Sequence, residues 1–142
     1  MSDAGGYWPR GHQTIWTRAE RENRLTVRAN NAFYVYPEKD VAQQVATITG
    51  LRINDPDQLV RFNQVKLYTD GIISQTTAAL LAPYEAAALP ALATPTGFTY
   101  FDPTMLNHYA VAFDVAGFQL HFHATGDRGA RLALDAIAHA QQ

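Results

Sequence analysis

Gly117-Phe118-Gln119-Leu120-His121-Phe122-His123-Ala124-Thr125-Gly126-Asp127 is the stretch that decides the fold. From Phe118 to His123 the residues alternate, so Phe118, Leu120 and Phe122 share one face of a strand and His121 and His123 the other. The segment before it, Pro103 to about Ala116, reads as a helix. Asp102 suits the N-cap, Pro103 the first helical position and Gly117 the stop. Met105, Leu106, Tyr109, Ala110 and Phe113 form the buried stripe of that helix. After the short loop Ala124-Thr125-Gly126, a last helix begins at about Asp127 and carries Leu132, Leu134, Ile137 and Ala138. Helix, strand and helix thus follow one another with almost no loop.

Working upstream, the pattern repeats. A helix is expected from about Thr14 to Asn23, and a strand over Leu25 to Tyr36, where aromatic and β-branched residues concentrate. Pro37 opens a second helix with Val41, Val45 and Ile48 on one face, and Gly50 ends it in a left-handed conformation. Asn54-Asp55-Pro56-Asp57 is a turn. A strand follows over Gln64 to Thr69, with Lys66 and Tyr68 on one face and Val65 and Leu67 on the other, ended by Asp70-Gly71. The segment Ile72 to Thr96, rich in Ala, Thr and Pro, receives no assignment. Alternating helices and strands imply an α/β fold with parallel strands joined by right-handed crossovers.

Composition closes off several classes of function. The chain has 142 residues, enough for one domain, and 47% of them are hydrophobic, so it can bury a core. Eleven Lys plus Arg stand against thirteen Asp plus Glu, a net charge of -2, which favours neither nucleic acid nor an anionic membrane. There is no Cys, which excludes disulfides and Cys-ligated metal. The most apolar run, Thr76 to Ala93, is interrupted by Pro83, Glu85 and Pro90, so no bilayer span is expected. The N-terminal Met-Ser-Asp-Ala-Gly-Gly has no signal-peptide pattern, which favours the cytoplasm. Nucleotide-binding glycine loops, a GxSxG elbow and an HExxH helix are all missing.

Two features carry chemistry. His121 and His123, at i and i+2 on a strand, point to the same side and could reach one metal ion. They stand at the strand's carboxyl end, where parallel α/β folds place their sites. The competing reading is a pair of half-buried, structurally satisfied histidines. Lys66, directed into a sheet interior, must be paired, neutral or modified, since a bare buried ammonium is costly. A carbamate formed with carbon dioxide is one such modification, and a lysine snorkelling to solvent is the bland alternative. Asp70 and Asp127 each follow a strand end, where they either contact a ligand or serve as a turn residue and a helix cap.

Val65-Lys66-Leu67-Tyr68-Thr69-Asp70-Gly71, followed by Thr76-Thr77-Ala78-Ala79-Leu80-Leu81 and Pro83-Tyr84, resembles amidohydrolase family 3 of the metal-dependent amidohydrolases. So does Ala116 to Arg128, with Ala133-Leu134-Asp135-Ala136-Ile137 after it. Leu25-Thr26-Val27-Arg28 is similar to the family's third barrel strand, and Asp3-Ala4-Gly5 to the tail of its second. The resemblance implies a (β/α)8 TIM barrel whose metal centre, zinc or another divalent ion, activates water to cleave amide or cyclic amide C–N bonds. On that reading Lys66 matches the carboxylated lysine of strand four and His123 the histidine of strand five. His121, Asp70 and Asp127 are then neighbours in the substrate pocket.

A full barrel takes about 250 residues, so residues 1–142 are expected to be an incomplete one, from about strand three to helix five. The family's remaining ligands have no counterpart here. The isolated piece is accordingly expected to be inactive, to hold no metal stably and to hide its open sheet by self-association. The alternative is a small non-catalytic α/β module for binding or assembly.

Overall fold

The computed structural model describes residues 2–91 and 93–142, with side chains from Tyr7 onward. Four strands stand in the order β1 (Ser2–Gly6), β2 (Ala29–Tyr34), β3 (Val60–Tyr68), β4 (Gln119–His123). β1 pairs with β2, and β2 with β3, in parallel. Four helices accompany them: α1 (His12–Arg21), α2 (Val41–Gly50), α3 (Pro103–Val115) and α4 (Asp127–Ala140). The fold is therefore α/β, with parallel strands and flanking helices. β1 runs through Asp3-Ala4-Gly5, the stretch that resembled the tail of a preceding strand.

The chain divides into two compact units, residues 1–66 with 112–121 and residues 67–111 with 122–142. In the first unit, Phe33 of β2 and Phe62 of β3 pack at 5.0 Å between ring centroids, and Phe113 meets Phe118 edge to face. Ala29, Ala32, Val35, Ile48, Val60 and Val65 are buried with them. In the second, Phe101 and Tyr109 meet edge to face, and Leu67, Leu106, Ala110, Ala133 and Ala136 are buried.

β3 starts four residues earlier than the expected Gln64, and the reason is a bulge. In register, Asn30 faces Arg61 and Asn31 faces Phe62, but Ala32 faces Gln64, so Asn63 is an extra residue on β3. The apolar residues of β3 are consequently out of phase, Val60 and Phe62 before the bulge and Val65 and Leu67 after it. The extra residue restores both pairs to the buried side. It also sets Arg61, Gln64 and Lys66 on the face that Asn30, Ala32 and Tyr34 occupy on β2.

Helix ends follow the expected chemistry in part. Asp102 caps α3 by accepting a bond from Met105 N at 2.9 Å, and Gly117 after it has a left-handed φ of +76°. The second helix does not open at Pro37. It opens at Val41, because Asp40 accepts the Gln43 N–H and is the true N-cap. Gly50 does not adopt the left-handed conformation expected of it: it is the last helical residue, and Leu51 ends the helix with φ −97°. Leu25 to Arg28 lie outside β2, which begins at Ala29. In α4 the stripe is finer than expected, with Gly129, Ala133 and Ala136 buried and Leu134 exposed. Small residues there let the helix approach its neighbours closely.

Candidate functional site

Side chains along β3 and β4 pair across the strands at every second residue. In the first unit, Gln64 Nε2 donates to Gln119 Oε1 at 3.1 Å. Two residues further on, Lys66 Nζ lies 2.8 Å from His121 Nε2, with Lys66 only 3% exposed. The contact is a hydrogen bond between the amine and the ring nitrogen. Lys66 is thus directed into the fold and partnered by an imidazole, as the cost of burying a cation requires. The snorkelling alternative does not describe it.

Tyr34, beside Lys66 in register, opens an aromatic group at the end of β2. Its ring lies 4.6 Å from Tyr36 and 5.6 Å from Tyr7, and its carbonyl accepts the Trp8 indole N–H at 3.0 Å. The Lys39 ammonium sits over the Tyr36 and Trp8 rings. Burial pushes the Tyr36 phenol above its ordinary pKa, opposed by the nearby Arg10, so it remains neutral near pH 7. Sequence reasoning left this aromatic group out, since its members are spread between residues 7 and 36 and only the fold assembles them.

The second unit holds the other predicted residues. His123 stacks on Tyr68 at 4.7 Å. Its Nε2 is 3.0 Å from the Gly71 carbonyl and 3.0 Å from Thr125 Oγ1. A carbonyl only accepts, so His123 donates the bond to Gly71 from Nε2. Asp70 is fully buried, and its carboxylate accepts three backbone N–H groups: Ala79 at 2.8 Å, Thr125 at 2.9 Å and Gly126 at 2.7 Å. Gly129 leaves the space this requires, since a Cβ there would sit 2.6 Å from the Asp70 carboxyl carbon. Asp127 is the first residue of α4, and its Oδ1 accepts from Leu81 N and Arg128 N, both at 2.8 Å.

These contacts explain the segment that the sequence left unassigned, Ile72 to Thr96, of which Leu92 lies outside the described residues. It holds two short 3-10 turns, Ile73–Gln75 and Ala86–Ala88. Asp70 and Asp127 grip it at Ala79 and Leu81. Arg128 grips it at its far end, donating from Nη2 to the Thr96 and Gly97 carbonyls at 3.1 and 3.2 Å. Gly97 has φ +61°, and a Cβ there would fall 2.0 Å from the Ala78 carbonyl oxygen. Arg128 and Gly97 were not singled out from sequence, because their work is visible only once both ends of the loop are in place.

The structure brings Lys66 together with His121, whereas His123 meets Tyr68, Gly71 and Thr125. Among the described residues, no three His, Asp or Glu side chains converge to hold a metal ion. Lys66 and His123 are donors of the right chemical type, but two are fewer than the three protein ligands of a typical catalytic zinc site. Among the described residues, Lys66 and His123 therefore do not by themselves make a complete metal centre.

The sequence model described as the amidohydrolase family matches residues 1–142. The chain belongs to the amidohydrolase family. Among curated proteins it is similar to the exoenzymes regulatory protein AepA of Pectobacterium carotovorum subsp. carotovorum, with 27% identity over 124 residues. That match covers 85% of this chain and 24% of the relative. Two solved structures share its fold. An uncharacterized metal-dependent hydrolase from Pyrococcus furiosus superposes with a TM-score of 0.71 at 22% identity, over 92% of this chain and 25% of that one. A second, from Pyrococcus horikoshii OT3, gives 0.70 at 24% identity, over 89% and 24%. The amidohydrolase chain thus spans about a quarter of the length of the relatives it matches. Its parallel strands and flanking helices are consistent with a piece of a (β/α)8 barrel. Among the described residues, no helix is long and apolar enough to cross a membrane.

Proposed function

We propose that this chain forms part of a metal-dependent amidohydrolase that cleaves amide or cyclic amide C–N bonds through a metal-activated water. The observation that carries the reading is the family match along the whole of residues 1–142, with Lys66 inward and buried on β3. Lys66, as its carbamate, and His123 would be two ligands of a divalent metal such as zinc, the rest coming from other barrel strands. A bound metal would lower the pKa of a water and polarise the scissile carbonyl. The chain's own part is positional. His121 fixes the Lys66 side chain, while Asp70 and Asp127 hold the Ile72–Thr96 loop that would wall the substrate pocket. As an isolated piece the chain would lack a complete ligand set and show no activity.

The test is hydrolysis. A longer protein containing this chain, purified with zinc, is expected to release amine from N-acyl amino acids, simple amides or hydantoins. Full metal occupancy with no turnover across that substrate panel would count against the reading.

The isolated chain also has a surface to hide. β1 and β4 are the edge strands of the sheet, and edge strands offer N–H and C=O groups to another chain. Self-association by edge pairing is therefore expected. Sedimentation velocity at micromolar concentration should give a species heavier than 15.7 kDa, and a folded monomer would contradict it.

A further inference from the structure

We propose that a cavity at the amino-terminal ends of β2 and β3 binds a phosphate monoester. Its volume is about 380 Å³, and Arg28, Arg61, Asn30 and Gln58 supply its polar lining. No carboxylate lines it, so two guanidinium groups share one concave space without a counter-charge in the wall. The bulge at Asn63 is responsible for half of this arrangement. By flipping the phase of β3 it sets Arg61 on the same face as Asn30, its partner in register. Arg61 is held there by Nη2, which donates to the Pro56 carbonyl at 3.0 Å. Its remaining N–H groups stay available to a ligand. Arg28 makes no ion pair among the described residues.

The acids nearest in sequence and space are otherwise engaged or outside the lining. Glu20 Oε1 accepts the backbone N–H groups of Leu59 and Val60. Asp55 Oδ1 accepts from Asp57 N, and neither of these exposed aspartates lines the cavity.

Charge and shape together select the ligand. Each guanidinium presents a planar fork that matches two oxygens of a phosphate, and a dianionic phosphate can serve two forks at once. A monocarboxylate has one oxygen pair and satisfies only one fork. The volume exceeds that of a bare tetrahedral ion and reaches the range of small-molecule sites, roughly 300–1,000 Å³. The organic part of a phosphate ester fills the remainder, with the Gln58 and Asn30 amides at hand for its hydroxyl groups. Arg61 precedes Lys66 by five residues, about 16 Å along a strand. The cavity is thus a separate site at the other end of β3, suited to an effector and independent of the hydrolytic reading.

Thermal unfolding of the 142-residue chain tests this with inorganic phosphate, glycerol 3-phosphate and sodium chloride at matched ionic strength. Both phosphates should raise the midpoint above the chloride control, and glycerol 3-phosphate should act at lower concentration. Arg28→Gln and Arg61→Gln should each weaken binding by about tenfold or more, the usual loss for a charged hydrogen bond. Arg28→Lys, which keeps the charge and loses the fork, should fall between. Circular dichroism checks folding; if Arg61→Gln unfolds, Arg28→Gln at its exposed position decides. Equal shifts with chloride, or wild-type shifts in Arg28→Gln, would overturn the site. Inorganic phosphate binding as tightly as the ester would overturn the monoester as its ligand.

Discussion

Replacing Asp70 by Ala is expected to unfold this protein or bring it close to unfolding. The Asp70 carboxylate accepts three backbone N–H groups inside the fold, at Ala79, Thr125 and Gly126. Removing it orphans the buried Ala79 and Gly126 donors where water cannot replace it, at a cost of about 1–3 kcal/mol for each, while the Thr125 N–H is only partly buried. The sum over the two buried donors, roughly 2–6 kcal/mol, is of the order of the whole stability of a small domain. Asp70→Asn keeps the shape but offers one acceptor oxygen where two are used, so it should fall between Ala and wild type. Urea unfolding followed by circular dichroism gives the comparison. An Asp70→Ala midpoint within 0.5 M of wild type (an order-of-magnitude threshold, about 1 kcal/mol at typical urea slopes) would show that the carboxylate staple does not hold the loop.

In a longer protein containing this chain, Lys66→Ala and His123→Ala should each lower kcat/KM by more than about a hundredfold, together with the metal content. Groups that only orient a ligand usually contribute about 10- to 100-fold in affinity or activity, and removal of a ligand itself exceeds that. His121→Ala should therefore fall in the lower range, since His121 touches Lys66 Nζ at 2.8 Å and acts through it. Elemental analysis alongside the kinetics separates the two roles. Lys66→Ala with full metal and full activity would remove Lys66 from the ligand set, and with it the proposed chemistry.

The long α3 helix was legible from Asp102, Pro103 and Gly117 because caps are local: each acts on a backbone within one turn of itself. The face shared by His121 and His123 was legible for the same reason, since strand alternation needs no knowledge of the partner strand. Gly50 misled because a glycine after an apolar stripe fits a left-handed stop, yet a helix can also end at Leu51 with ordinary dihedrals. The opening stretch of β3 was hidden by its own pattern. Val60, Phe62, Val65 and Leu67 violate a period of two, and a reading that demands alternation discards the first pair.

By itself, then, the sequence determined the α/β class, the order of helices and strands from α1 onward, the amidohydrolase resemblance and the strand face that Lys66 shares with Tyr68. Those follow from short-range sterics, capping and side-chain periodicity, which operate over a few residues. Tertiary structure alone decided that Lys66 meets His121, that Asp70 staples Ala79 to Gly126, and that Arg61 shares a face with Asn30. Each joins segments far apart in the chain or depends on a register shift between strands. Their geometry is set by how buried faces pack and how backbone N–H groups find acceptors, and no local pattern of residues encodes that.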